Sequence, residues 1–190
     1  MKTKIVWVFI ATGSVVWAAH SHHEHTKDSR QVVFEQFPTS RDLLRPDVGP
    51  VIDQIIVRHG RKECETVILT SEFHTHLGIY AIVGAKMGIR AREYFGVGLD
   101  ELTVESFAGS QPPISCLNDG LQASTGATLG HGTISLSSVT APRPTAKFTY
   151  DGTIISLELK EAYWQQVRQD IGGIIDQHGL GGSKEVGHMT

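Results

Sequence analysis

Two histidines, His74 and His76, stand one residue apart in the stretch SEFHTHLGIYAIVGAKMG, residues 71–88. Imidazole nitrogen is a common ligand for Zn²⁺, Cu²⁺ and Ni²⁺. In a strand, residues i and i+2 face one side, so both rings could hold a single ion. In a helix they diverge by roughly 200°, and position 78, four residues beyond His74, shares its face instead. The pair falls where a strand over ETVILT (65–70) is expected to give way to a helix, so the sequence leaves its geometry open. Incidental imidazoles at a helix start are the plain alternative.

Two further segments place reactive side chains at turns or helix starts. Cys116, with Asn118 and Asp119, opens a helix after Pro112 and Pro113. A thiolate there would gain from the helix dipole and make a soft ligand. Asp119 lies three residues on, where a carboxylate could ligate or act as a base, or simply favour the dipole. The second segment, STGATLGHG (124–132), is rich in glycine and hydroxyls, so its backbone amides could approach a ligand. Thr125, Gly126, Thr128 and His131 are its candidate pocket residues. It lacks the lysine and spacing of a phosphate-binding loop, which excludes a nucleotide site of that type.

The elements that must position these groups are legible in outline. Val51, Ile55 and Ile56 repeat at helical spacing until Gly60 closes the helix. From His76 to Phe95, Ala81, Ala85, Gly88 and Ala91 form a small-residue stripe, which predicts a helix packed closely on another element. DELTVESFAG (100–109) predicts a strand with Leu102, Val104 and Ser106 on one face. The Cys116 helix runs through the glycine turn into a strand at GTISL. TAKFTYDGTIISLELK (145–160) predicts a hairpin turning at Asp151-Gly152. A closing helix from Glu161 puts Tyr163, Val167, Ile171 and Ile174 on one face. The class is α+β: an antiparallel sheet packed against helices, in a single domain over 41–180, with a loose tail at 181–190.

The 190-residue chain carries a formal charge of −3, which offers no footprint for nucleic acid. Residues 1–18 read as a signal peptide. Lys2 and Lys4 precede an apolar run from Ile5 that is too short to span a bilayer, and Val16 and Ala18 suit the cleavage site. The expected location is periplasmic or secreted, with no membrane span after cleavage. His20, His22, His23 and His25 then crowd an arm over 19–40, where imidazoles this dense can gather metal ions or merely solubilise. Export also permits a Cys64–Cys116 disulfide, which would remove Cys116 as a ligand.

In this order the segments HTHLGIYAIVGAKMGIRA, CLNDGLQASTGATLGHGTISL and AKFTYDGTIISLELK resemble the E-subunit family of formylmethanofuran dehydrogenase. That family shows His-Gly-His-x-Cys-Pro-Gly opening an Ala/Gly-rich helix. A Cys-x-x-Asp helix then runs into Thr-Gly-x-Thr-x-Gly-Lys-Gly, and a hairpin follows. The likeness covers about residues 45–178. It implies an α+β fold, a homodimer, and a transition metal, often zinc, held by His74, His76 and Cys116, with Asp119 as a further candidate. Two departures stand out: Gly78 takes the place of the first motif's cysteine, and His131 that of the lysine. Losing one soft ligand either opens a coordination position, as in catalytic zinc sites, or weakens the site.

The resulting expectation is an exported protein that binds Zn²⁺ or another divalent metal such as Ni²⁺. If it is an enzyme, it acts on an unidentified small molecule, with Asp119 or Glu72 as base. Alternatives are a periplasmic metal carrier or sensor fed by the histidine arm, and a metal-free small-ligand domain using the glycine turn.

Overall fold

The computed structural model describes residues 36–38 and 40–186. The leader expected over 1–18 and the His20–His25 tract lie outside the described residues. After a 3-10 turn at Arg41–Leu43, helix α1 (Ile52–His59) ends at Gly60. The φ of 85° and ψ of 154° at Gly60 belong to a region only glycine enters freely, and Arg61 starts the next helix at once.

That next helix, α2 (Arg61–His74), absorbs ETVILT, where a strand was expected. The helix accommodates these residues by local bonding. Thr66, Thr70 and Ser71 turn their hydroxyls back to the carbonyls of Lys62, Thr66 and Val67, each at 2.8 Å. Residues that favour strands therefore satisfy themselves on a helix. Cys64 and Thr70 are buried along its inner side. The site segment consequently joins helix to helix, not strand to helix.

Helix α3 (Ile79–Phe95) carries the small-residue stripe and lies against α4 (Leu117–Thr125) almost backbone to backbone. A Cβ on Gly84 would stand 2.1 Å from the Leu117 carbonyl oxygen, and one on Gly120 would stand 1.9 Å from that of Ala81. Glycine at both positions is a packing requirement. Glu63 on α2, 6% exposed at its side chain, ties the helices further through Lys86 at 2.5 Å and Arg90 at 3.2 Å.

Strand β1 (Thr103–Ser106) precedes α4, and β2 (Ile134–Leu136), β3 (Thr145–Tyr150) and β4 (Thr153–Glu158) follow it. The sheet order is β2-β1-β3-β4. The class is α+β as expected, but the sheet is mixed: β1 and β2 run parallel, Val104 opposite Ile134, while the remaining pairs are antiparallel. The helix α4 connecting β1 to β2 supplies the crossover that a parallel pair needs. The β3–β4 hairpin turns at Asp151 and Gly152, both at positive φ as a two-residue hairpin turn requires. Met87 from α3, Leu117 and Leu121 from α4, and Leu102, Val104, Phe148 and Ile155 from the sheet form the core.

The last helix, α5 (Glu161–Val186), packs Trp164, Val167 and Ile171 on this core. Tyr163, expected on that face, is 48% exposed, and Trp164 takes its place. Cys64 and Cys116 are both free thiols, so the disulfide alternative does not hold.

Candidate functional site

The site forms where the end of α2 meets the start of α4. His74 is the last residue of α2. Thr75 then takes a left-handed φ of 67°, and Gly78 caps the start of α3. This tight reversal sets His74 against Gly78 and brings the rings of His74 and His76 to 4.3 Å between centroids. From the opposite side, Asn118 anchors the first turn of α4. Its Nδ2 donates to the Gly109 carbonyl at 2.9 Å, and its Oδ1 accepts from the Ser106 hydroxyl at 2.5 Å. Asp119 follows and reaches His74, with Oδ2 2.6 Å from Nδ1.

His74, Cys116 and Asp119 line one cleft of about 380 Å³, together with Ser110, Ser115 and Gln122 and the apolar Leu129 and Ile134. The His74 side chain is only 8% exposed, against 32% for Asp119. Its second nitrogen, Nε2, is buried and has no hydrogen-bond partner among the described residues. A Cβ on Gly78 would stand 2.7 Å from that nitrogen, so the ring occupies the space a side chain at position 78 would need.

Cys116 does not behave as its helix-start position suggested. Burial pushes the thiol above its ordinary value, and the neighbouring Asp119 carboxylate pushes the same way, against a smaller opposing backbone hydrogen bond. The group therefore stays a thiol at neutral pH unless a cation claims it.

The other candidates lie elsewhere. His76 is half-buried beside His74 but is not a wall of the cleft. Glu72 is exposed on α2 and also outside it. In the glycine turn, the buried Thr125 hydroxyl donates to the Leu121 carbonyl at 2.6 Å, and Gly126 closes α4 with a φ of 75°. Thr128 Oγ1 accepts the His131 amide at 3.1 Å, and exposed His131 meets Asp100 at 3.0 Å. These contacts shape the turn, which contributes Leu129 but none of its four candidates to the cleft.

Ser110, Ser115 and Gln122 are cleft residues that sequence reasoning missed; nothing in their local pattern marks them. Among the described residues, no group of three or more His, Cys, Asp or Glu side chains stands close enough to hold an ion together. What fits a metal is narrower: an orphaned, buried imidazole nitrogen over a glycine, with a soft thiol in the same cleft.

The family model FmdE, described as "Molybdenum formylmethanofuran dehydrogenase operon", matches residues 73–172, just over half of the chain. The match begins one residue before His74 and takes in every wall of the cleft. No curated protein matches the chain.

Proposed function

The chain belongs to the FmdE family, and on that footing we propose that it is an exported, homodimeric transition-metal-binding protein, zinc being the expected ion, with its site in the cleft between α2 and α4. The observation that carries this reading is His74: Nδ1 is engaged by a carboxylate while Nε2 is buried without a partner among the described residues. Carboxylate–imidazole pairs of this kind orient metal-ligating histidines, and a buried polar atom with no partner calls for one.

His74 would supply Nε2 and Cys116 its sulfur, once the thiol proton is displaced. His76 stands next to the first ligand. With so few protein donors in place, coordination positions are left for water or a small molecule. Bound zinc would lower the pKa of such a water or polarise a carbonyl. The chain's own contributions are to orient the imidazole, wall the cleft with Leu129 and Ile134, and present the Ser110, Ser115 and Gln122 polar groups to an occupant. Export rests on the leader pattern of Lys2, Lys4 and the apolar run after them. The His20–His25 tract favours a second reading, a carrier or sensor that passes the ion on without turnover.

Elemental analysis of tag-free protein equilibrated with Zn²⁺ and desalted tests the proposal. We expect one ion per chain, retained when residues 19–26 are deleted and lost in His74→Ala. A wild type that retains no ion refutes metal binding. Loss of all metal with the arm removes the cleft as its site.

A further inference from the structure

We infer that Asp119 is a positioning residue, holding His74 in the tautomer that leaves Nε2 as an unprotonated donor, and that Gly78 is the residue that makes room for this orientation. The inference rests on the metal-binding reading of the cleft and assigns its parts.

The two ring nitrogens of His74 have unequal surroundings. Nδ1 lies 2.6 Å from a carboxylate oxygen, the distance of a strong charge-assisted bond, and an ionised carboxylate can only accept. The proton therefore belongs on Nδ1. Nε2 is buried and meets no acceptor among the described residues. A proton there would be a stranded buried donor, and a doubly protonated ring would strand a charge as well. The neutral ring protonated at Nδ1 leaves only a lone pair unpaired, and a lone pair is what a metal takes.

Gly78 completes the arrangement sterically. A Cβ there would lie 2.7 Å from Nε2 and 2.8 Å from Cδ2, so any other residue would drive the ring off Asp119. The backbone at position 78 is ordinary extended chain, with φ −100° and ψ 124°. Glycine is needed there for space and not for conformation. Asp119 cannot serve His74 in this way and also be the principal ligand through the same oxygen, so its role is distinct from those of Cys116 and His74.

The test uses ¹⁵N-labelled wild type, Asp119→Ala and Asp119→Asn, the last keeping an acceptor oxygen in case alanine disturbs folding. Two-bond ¹H–¹⁵N spectra of the metal-free proteins report which His74 nitrogen carries the proton. Titration with Co²⁺ alone reports affinity and, through the visible bands, the ligand set. We expect the Nδ1-protonated form in wild type. Cobalt affinity should fall roughly ten- to a hundredfold in Asp119→Ala, with partial rescue by asparagine and unchanged band positions. A proton on Nε2 in wild type, unaltered affinity in Asp119→Ala, or bands that shift as they would on loss of a direct ligand each overturn the inference. A wild type that takes up no cobalt yet keeps the Nδ1 proton overturns the metal reading alone and confirms the orientation.

Discussion

Gly78→Ala is a small change whose sign separates two accounts of this segment. Gly78 has a backbone conformation that alanine adopts freely, so there is no φ penalty. Replacing a glycine in such a conformation ordinarily stabilises by about 0.4–1 kcal/mol through the unfolded chain. Alanine is the poorer helix cap, by a similar amount in the other direction, so these two terms roughly cancel. What remains is the Cβ that would lie 2.7 Å from His74 Nε2, an atom at the end of a side chain that can swing away. The cost is then what His74 leaves behind, its 2.6 Å bond to Asp119. Bonds to charged groups contribute about 1.5–3 kcal/mol, and Asp119, a third exposed, points to the lower end. About 1.5 kcal/mol corresponds to a fall of roughly 3–6 °C in Tm for a chain of this length. Calorimetry of metal-free protein measures it. In an Asp119→Ala background the same glycine substitution should cost almost nothing, because the bond it breaks is already gone. A Gly78→Ala protein as stable as wild type, or an equal loss in both backgrounds, would refute the steric link between Gly78 and the His74–Asp119 pair.

The helix packing and the thiols give two further expectations. Gly120→Ala places a Cβ 1.9 Å from the Ala81 carbonyl oxygen and 2.4 Å from the Ala85 amide nitrogen, both backbone atoms, so α3 and α4 must part. We expect a loss of ~3 kcal/mol or more in urea unfolding, despite alanine's better helix propensity; an unchanged midpoint contradicts the close packing. Burial chiefly, aided by Glu65 against Arg61, raises the Cys64 thiol above its ordinary value, so the folded state favours the protonated form. That contribution is complete below about pH 9 and is lost as pH rises through the folded value, so the Tm advantage of wild type over Cys64→Ala should shrink above pH 9. An advantage that grows with pH contradicts the sign. Iodoacetamide should reach half-buried Cys116 well before Cys64, which is 2% exposed.

The parts of the fold legible in the sequence are those fixed by neighbours in the chain. The Asp151-Gly152 turn, the alternation around Val104 and the helix from Cys116 into the glycine turn all carry their own signals, and the structure keeps each. ETVILT misleads because strand propensity measures fit to a half-buried sheet, and here the hydroxyls of Thr66 and Thr70 bond to their own helix instead. The parallel pairing of β1 with β2 uses the helix between them as its crossover, a long-range arrangement that no local pattern marks. Tyr163 and Trp164 are adjacent in a helix flanked by polar residues, and only the core decides which of them turns inward.

For the site, the sequence supplies the residue types, and the missing side chain at 78 stands out by resemblance. The His74–Asp119 pair spans 45 residues and exists only because two helix ends meet. Their polarity gives the meeting a direction. His74 sits in the last turn of α2, where unsatisfied carbonyls make the surroundings negative, and Asp119 in the first turn of α4, where free amides favour a carboxylate. A cation held at His74 would be favoured from behind by both Asp119 and the end of α2. The geometry that the sequence left open is thereby closed: His74 ends α2 facing Asp119, and His76 stands beside it outside the cleft wall.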